Sequence, residues 1–341
     1  MQNEIKEKGL LLDEKGRLKT PGYAKEMLLE YRREDIKASK LRIKEWDYYI
    51  VVKDDIGIAF TIADNGYMGF VSVSLLHFKE RWYKTSSVMK FMPLGNMKLP
   101  SSSKVGDVYF KNKKMALSYL NHGDHTVIWC EIKDFEKGKD LTAHITLRNI
   151  PKESMVIATP FEKNKKAFYY NQKINCMDAS GEVLFDGVTY DFNSGFGTLD
   201  FGRGVWTYDN TWYWASASGL VKSVKFGFNL GYGFGDTSSA TENMIFYDGK
   251  AHKLDHVTFE IPKKDGEYDF LKPWIFTSND DRFEMKFTPV IDRKDKTSLL
   301  VIMSDQHQVF GHFTGTAVLD DGRVIEVKDL LGFAEVVRNK W

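Results

Sequence analysis

Cysteine is nearly missing from this sequence: its 341 residues include two, Cys130 and Cys176. They lie far apart and outside any C-x-x-C spacing, which excludes a disulfide framework and a zinc ribbon and leaves two buried thiols as the expectation. Net charge is almost absent too. Against 48 Lys and Arg stand 47 Asp and Glu, a balance of +1, so the chain carries no electrostatic footprint for a nucleic-acid backbone or an anionic membrane. No stretch approaches the ~18 consecutive apolar residues that span a bilayer, and the opening MQNEIKEKGLLLDEKGR has no apolar segment of secretory length. These absences predict a cytoplasmic protein with no integral membrane segment and no nucleic-acid partner.

Catalytic signatures are missing as well. Without G-x-S-x-G, a phosphate loop or a glycine-rich dinucleotide fingerprint, a serine hydrolase, P-loop NTPase or Rossmann enzyme is disfavoured. His122 with His125, and His307 with His312, match no metal-ligand spacing, so neither a metal nor a cofactor is expected. Fixed-period repeats, low-complexity tracts and long linkers are absent, and segments with helical periodicity are rare.

What is present is short, alternating β segments. Those at 47–53, 57–63 and 67–78 are separated by Asp54-Asp55 and Asp64-Asn65-Gly66. Asn-Gly is a hairpin signal because both central positions of the tight turn need positive φ. Farther on, Ala143, Ile145 and Leu147 alternate with His144, Thr146 and Arg148, the period of a half-buried strand. Val224, Phe226, Phe228 and Leu230 likewise form one apolar face. A count on the order of sixteen such strands predicts an all-β protein of barrels or packed sheets. The expected organisation is an N-terminal arm over 1–40 with a short helix near 34–40, a first β lobe over 41–185 and a second over 186–341. The division falls between Asn175 and Ser194.

The densest mixture of Gly, aromatic and charged residues runs from Leu199 to Met244. Glycine inside extended chain marks bulges, corners or a close backbone approach, so this run is where a site is expected. Arg203, in Asp-Phe-Gly-Arg-Gly, keeps its charge and must be paired if buried, with Asp200 the nearest candidate and Glu242 the distant one. Trp206 and Trp214 suit a ligand pocket or an ordinary core, and Asn229, Asp236 and Asn243 are polar groups set among them. Glu242, Asp200 and His312 are the candidate proton carriers, because carboxylates in such surroundings have raised pKa values and imidazole titrates near neutrality. Each of these residues also has a structural alternative as an ion pair, core side chain or turn.

The chain resembles the bacterial family known as domain of unknown function 2804. The matching pieces are Lys44 to Tyr49, Ala63 to Tyr67, Pro160-Phe161, Tyr169-Tyr170 with Lys173, Asp200 to Trp206, Asn229 to Asp236, Thr241 to Asn243, and Gly332 to Glu335 before Trp341. Phe201 and Thr207 depart from the family pattern, which removes an indole hydrogen bond at 201. More remotely the chain is similar to tandem lipocalin-like proteins such as carotenoid hydratases and tocopherol cyclases. That resemblance implies two lipocalin-like lobes with a cavity for a small apolar or amphipathic ligand, and a cofactor-free hydratase, cyclase or isomerase. The alternative is a carbohydrate-active enzyme or sugar-binding protein using Trp206, Trp212 and Trp214 beside paired carboxylates. A structural protein with a filled interior is the third possibility. Segments 45–49 and 332–341, each carrying a tryptophan among charges, are expected to be anchored to the body.

Overall fold

Side-chain alternation separates two kinds of strand in the computed structural model, which describes residues 2–299 and 302–340. In Thr126–Glu136 the residues Thr126, Ile128, Cys130 and Ile132 are buried while Trp129 and Glu131 face outward, as a sheet with one wet side requires. In Ile43–Lys53 and Gly195–Val205 both faces are buried. Such strands have a core on each side, and they lie where two sheets meet.

The first sheet runs, in spatial order, Trp82–Phe91, Met68–His77, Ile56–Asp64, Ile43–Lys53, Gly195–Val205, Asn164–Phe185, Lys139–Arg148, Thr126–Glu136, Met115–Asn121 and Val108–Lys111. The second runs Lys250–Lys253, Met244–Tyr247, Val224–Tyr232, Asp209–Val221, Val324–Lys340, Ile302–Val318, Phe283–Leu299, Trp274–Ser278 and Val257–Glu260. Neighbours in both are antiparallel. Each sheet curls around its own apolar cluster, one containing Val51, Phe60 and Ile145, the other Phe228, Phe276 and Phe313. A third cluster, with Tyr169, Trp206, Trp214 and Phe310, lies between the sheets and is closed by the N-terminal arm through Leu11 and Tyr31. These are two lipocalin-like lobes, and the all-β expectation holds.

Three details differ from the sequence expectation. The expected lobe division at 185/186 falls two strands before the chain changes sheet. Val188–Asp191 and Gly195–Val205 both pair with Asn164–Phe185, and the next strand, Asp209–Val221, pairs only in the second sheet. The crossing is therefore at 206–208, beyond the Asn175–Ser194 interval, and it was hidden because strands with glycine turns continue on both sides. Instead of a helix near 34–40 there are two 3-10 turns, Arg33–Asp35 and Lys40–Arg42, because no apolar stripe exists there to bury a helix. The arm also does more than rest on one lobe. Gly22–Ala24 pairs with Met155–Phe161 of the first sheet, while the Gln2 side chain donates to Leu254 O at 2.9 Å and accepts from Thr241 N at 2.7 Å in the second.

A bulge fixes the sheets to each other. Asn164–Phe185 shifts register between Ile174 and Met177, with Cys176 at φ +62°. That extra residue aims the Asn175 amide at Ser216 Oγ, 2.8 Å away, and the Cys176 N–H at Ser218 Oγ, 3.0 Å away. Cys130 and Cys176 are both buried and free, as expected. Segment 45–49 is part of Ile43–Lys53, and 332–340 is paired on both sides within Val324–Lys340; Trp341 lies outside the described residues. No helix among the described residues is long and apolar enough to cross a membrane.

Candidate functional site

Strand register, more than sequence proximity, assembles the site. Across the first sheet, directly opposed residues form the row Lys173, Asp200, Tyr48, Thr61, Ser72, Ser87. Across the second they form the row Arg293, Gln308, Glu335, Trp214. Residues opposed on neighbouring strands share a face, and both rows face a cavity of about 430 Å³ between the sheets. That volume is within the range of small-molecule sites.

The inner end is aromatic and charged. Trp46, Trp206, Trp212, Trp214 and Phe234 line it, with Trp206 centred 5.9 Å from Trp46 and 5.2 Å from Trp212. Trp46 lies flat over Gly202, where any Cβ would overlap the indole, so that glycine makes the room. The Lys173 ammonium is buried, 2.8 Å from Asp200 Oδ1 and 3.7 Å from the Trp214 ring centroid. Asn171 donates to the same carboxylate at 2.6 Å. The outer end is lined by hydroxyls, Ser74, Thr85 and Ser87, with Lys294, Asp295 and Gln306 exposed at the mouth.

The rows touch. Tyr48 Oη donates to Gln308 Oε1 at 3.2 Å, and Gln308 Nε2 in turn donates to Glu335 Oε2 at 3.1 Å. Trp212 Nε1 donates to Glu335 Oε1 at 3.0 Å, so both oxygens of this carboxyl group are held. Burial nevertheless raises the pKa of Glu335, with Trp212, Lys173 and Arg293 opposing. Glu242 lies outside the cavity lining. Its Oε1 packs against Gly231 and Oε2 accepts from Tyr169 Oη at 3.2 Å. Burial raises its pKa to about 7 against the pull of Lys173. One lysine thus stands among three carboxyl groups, Asp200, Glu242 and Glu335, and the two glutamates hold protons to higher pH than free glutamate does.

A pH test follows from the sign of that shift. Because Glu242 binds its proton more tightly folded than unfolded, stability is highest below the unfolded pKa, near 4.5, and declines as pH rises to about 7. Urea unfolding across that window should show stability falling by at most about 1.4 kcal/mol per pH unit from this group. Glu242→Gln should flatten the decline; an identical slope in the variant would mean that Glu242 is not the titrating group.

The expected site residues separate into three groups. Asp200, Trp206 and Trp214 line the cavity. Asn229 and Glu242 stand behind it, since Trp214 Nε1 donates to Asn229 Oδ1 at 2.7 Å and Asn229 Nδ2 donates to Glu242 O at 2.9 Å. The rest are elsewhere. Arg203 is fully buried and carboxylate-paired, as expected, but with Asp47 at 2.9 Å and neither Asp200 nor Glu242. Residues 200 and 203 are an odd number apart on one strand, so alternation sends them to opposite faces. His312 is half-exposed beside Asp329 on the far part of the second lobe. Asp236 caps a turn by accepting from Ser238 N at 2.9 Å, and Asn243 joins strands by accepting from Gly231 N at 2.8 Å and donating to Asp255 O at 2.7 Å. Lys173, Glu335, Gln308, Arg293 and Tyr48 were not anticipated as site residues. Glu335 had a signal, as a lone charge inside the apolar run from Leu330 to Val337.

The architecture is a tandem lipocalin-like protein with its cavity between the lobes. The chain belongs to the family described as Domain of unknown function (DUF2804), whose model matches residues 2–341. No curated protein matches it in sequence. Among solved structures it is similar to the AttH candidate of Nitrosomonas europaea, at 11% identity and TM-score 0.56, covering 90% of this chain and 96% of that one. CghA aligns at 11% identity and TM-score 0.48, covering 98% and 97%. Kievitone hydratase from Nectria haematococca aligns at 10% and 0.45, covering 87% and 88%. At these identities the likeness is one of fold, and function has to be argued from the site.

Proposed function

We propose that the protein binds a small, mostly apolar molecule between its lobes and performs cofactor-free acid–base chemistry on it, as a hydratase, cyclase or isomerase. The observation that carries this is the inner end of the cavity, where Asp200 and Glu335 face the space beneath four indoles with Lys173 between them. The indoles supply apolar contact for a planar or polyene body. Burial raises the pKa of Glu335, which favours the proton-bearing form that a general acid requires, and Asp200 is held across from it by Lys173 and Asn171. Tyr48, Gln308 and Trp212 fix the orientation of Glu335, while Asn229 fixes Trp214.

Two measurements test this. Titration with the neutral probe N-phenyl-1-naphthylamine should quench tryptophan emission saturably, and Ser87→Trp, which fills the mouth from an exposed position, should abolish the quenching. Absence of saturable binding would sink the cavity reading. For the chemistry, the protein is incubated in D2O with a total lipid and isoprenoid extract. Hydration, cyclisation and isomerisation by this route all deliver solvent hydrogen to carbon, so one component should gain deuterium with wild type and none with Glu335→Gln. Equal labelling by the two proteins would remove Glu335 as the acid.

A further inference from the structure

Arg293 stands out in the second-sheet row as a cation without a carboxylate. It lines the cavity toward the mouth, half-buried, and its Nη1 donates to Ser74 Oγ at 2.9 Å across the gap between the sheets. Among the described residues no carboxylate forms an ion pair with it. Its neighbour Asp292 is engaged with His307 Nδ1 at 2.8 Å, Asp295 lies two residues along the same face but is exposed at the mouth, and Glu335, which the arginine's charge reaches, is hydrogen-bonded by Trp212 and Gln308. Guanidinium does not lose its proton in proteins, and one withdrawn from bulk water is normally matched by an anion. Among the described residues its Nε and Nη2 have no hydrogen-bond partner, and on a guanidinium these two N–H groups run parallel, the geometry that suits a carboxylate.

We infer that Arg293 is the receptor for a carboxylate on the ligand, so that the molecule bound between the lobes is an apolar or aromatic monocarboxylic acid. The inference rests on the cavity-binding reading above and gives that ligand a direction. Arg293 and Glu335 are two strands apart, with Gln308 between them. At roughly 4.8 Å per strand the row separates them by about 10 Å. A ligand anchored by its carboxylate at Arg293 therefore extends inward over Gln308 and presents carbon near the other end of the row, to Glu335 and Asp200 beneath the indoles. Ser74 and Thr85 share a hydrogen bond of 2.8 Å beside Arg293, which leaves one of their two hydroxyl hydrogens to donate to the anionic end. A dianion such as a phosphate monoester fits less well, since Asp200 and Glu335 face the same space.

The experiment compares 1-naphthaleneacetate with its neutral isostere 1-naphthaleneacetamide, read by tryptophan quenching at about pH 7.5. Wild type should bind the acid roughly tenfold more tightly than the amide, and added salt should weaken only the acid. Arg293→Met should bring the acid to the affinity of the amide while leaving the amide unchanged, which also shows that the variant is folded and its cavity open. Arg293→Lys, keeping charge without the two-point fork, should retain part of the preference. Equal affinity of acid and amide for wild type, or a preference that survives Arg293→Met, overturns this inference and leaves the cavity reading standing. If neither compound binds, both fall.

Discussion

Arg203→Met should destabilise the protein by on the order of 3–5 kcal/mol, because it strands the buried carboxylate of Asp47. Arg203 is fully buried, its Nη1 lies 2.9 Å from Asp47 Oδ1, and its nitrogens also donate to the carbonyls of Pro100, Trp46 and Gly202. Its guanidinium stacks 3.6 Å from the Phe201 ring centroid. Beside Asp47 lies Glu45, bonded to Tyr31 and Arg33, so the substitution removes one of two cations serving two carboxylates. Burial already raises the pKa of Asp47 against the pull of Arg203, and the substitution removes that pull. Thermal unfolding should show a drop of roughly 5–10 °C. Adding Asp47→Asn should recover part of it, which separates stranded charge from lost packing. A variant within a degree or two of wild type would mean that the pair is solvated. Because Arg203 faces away from the cavity, probe binding per folded molecule should be unchanged.

Lys173→Met is the second large effect, and it differs in its dependence on pH. Lys173 is the ion-pair partner of Asp200, and its charge also holds down the pKa values of Glu242 and Glu335. Methionine fills the space over Trp214 but leaves three carboxyl groups with no cation among them. At about pH 7.5 the loss should again be on the order of 3 kcal/mol. Near pH 5 it should be much smaller, since carboxyl groups raised further in the folded state take up protons there and folding gains from binding them. Guanidinium unfolding at the two pH values decides the matter. A deficit of the same size at both would mean that the lysine contributes packing alone.

The elements legible in the sequence were those with alternating side chains or a turn signal between apolar segments. Ala143, Ile145 and Leu147 are buried within Lys139–Arg148 as their alternation required, and Asp64-Asn65-Gly66 turns between Ile56–Asp64 and Met68–His77. Trp82–Phe91 was not legible. It is an edge strand whose Thr85 and Ser87 face the cavity and whose Met89 and Phe91 face solvent, so hydrophobicity along it has no period of two. The charge on Arg203 correctly demanded a buried partner, but Asp47 comes from a strand some 150 residues earlier, and only pairing of Ile43–Lys53 with Gly195–Val205 makes them neighbours. The site was half visible for the same reason. Asp200, Trp206 and Trp214 belong to the glycine-rich run, whereas Arg293, Gln308 and Glu335 come from three long strands aligned by register.

The N-terminal arm imposes an order of events on biogenesis. It is synthesised before either lobe, yet Gln2 finds its partners Thr241 and Leu254 about 240 residues later. At translation rates of roughly 5–20 residues per second the arm waits some 10–50 s before the surface it closes exists. During that interval Leu11, Leu12 and Tyr31, buried in the mature protein, have no complete cavity between lobes to cover. Docking of the arm is therefore a late, long-range step with a high entropic cost of closure. The nascent chain passes through a stage at which the first lobe is paired only as far as Asn164–Phe185, awaiting Gly195–Val205, and an apolar arm is still unplaced. That stage is where a chaperone has most to hold.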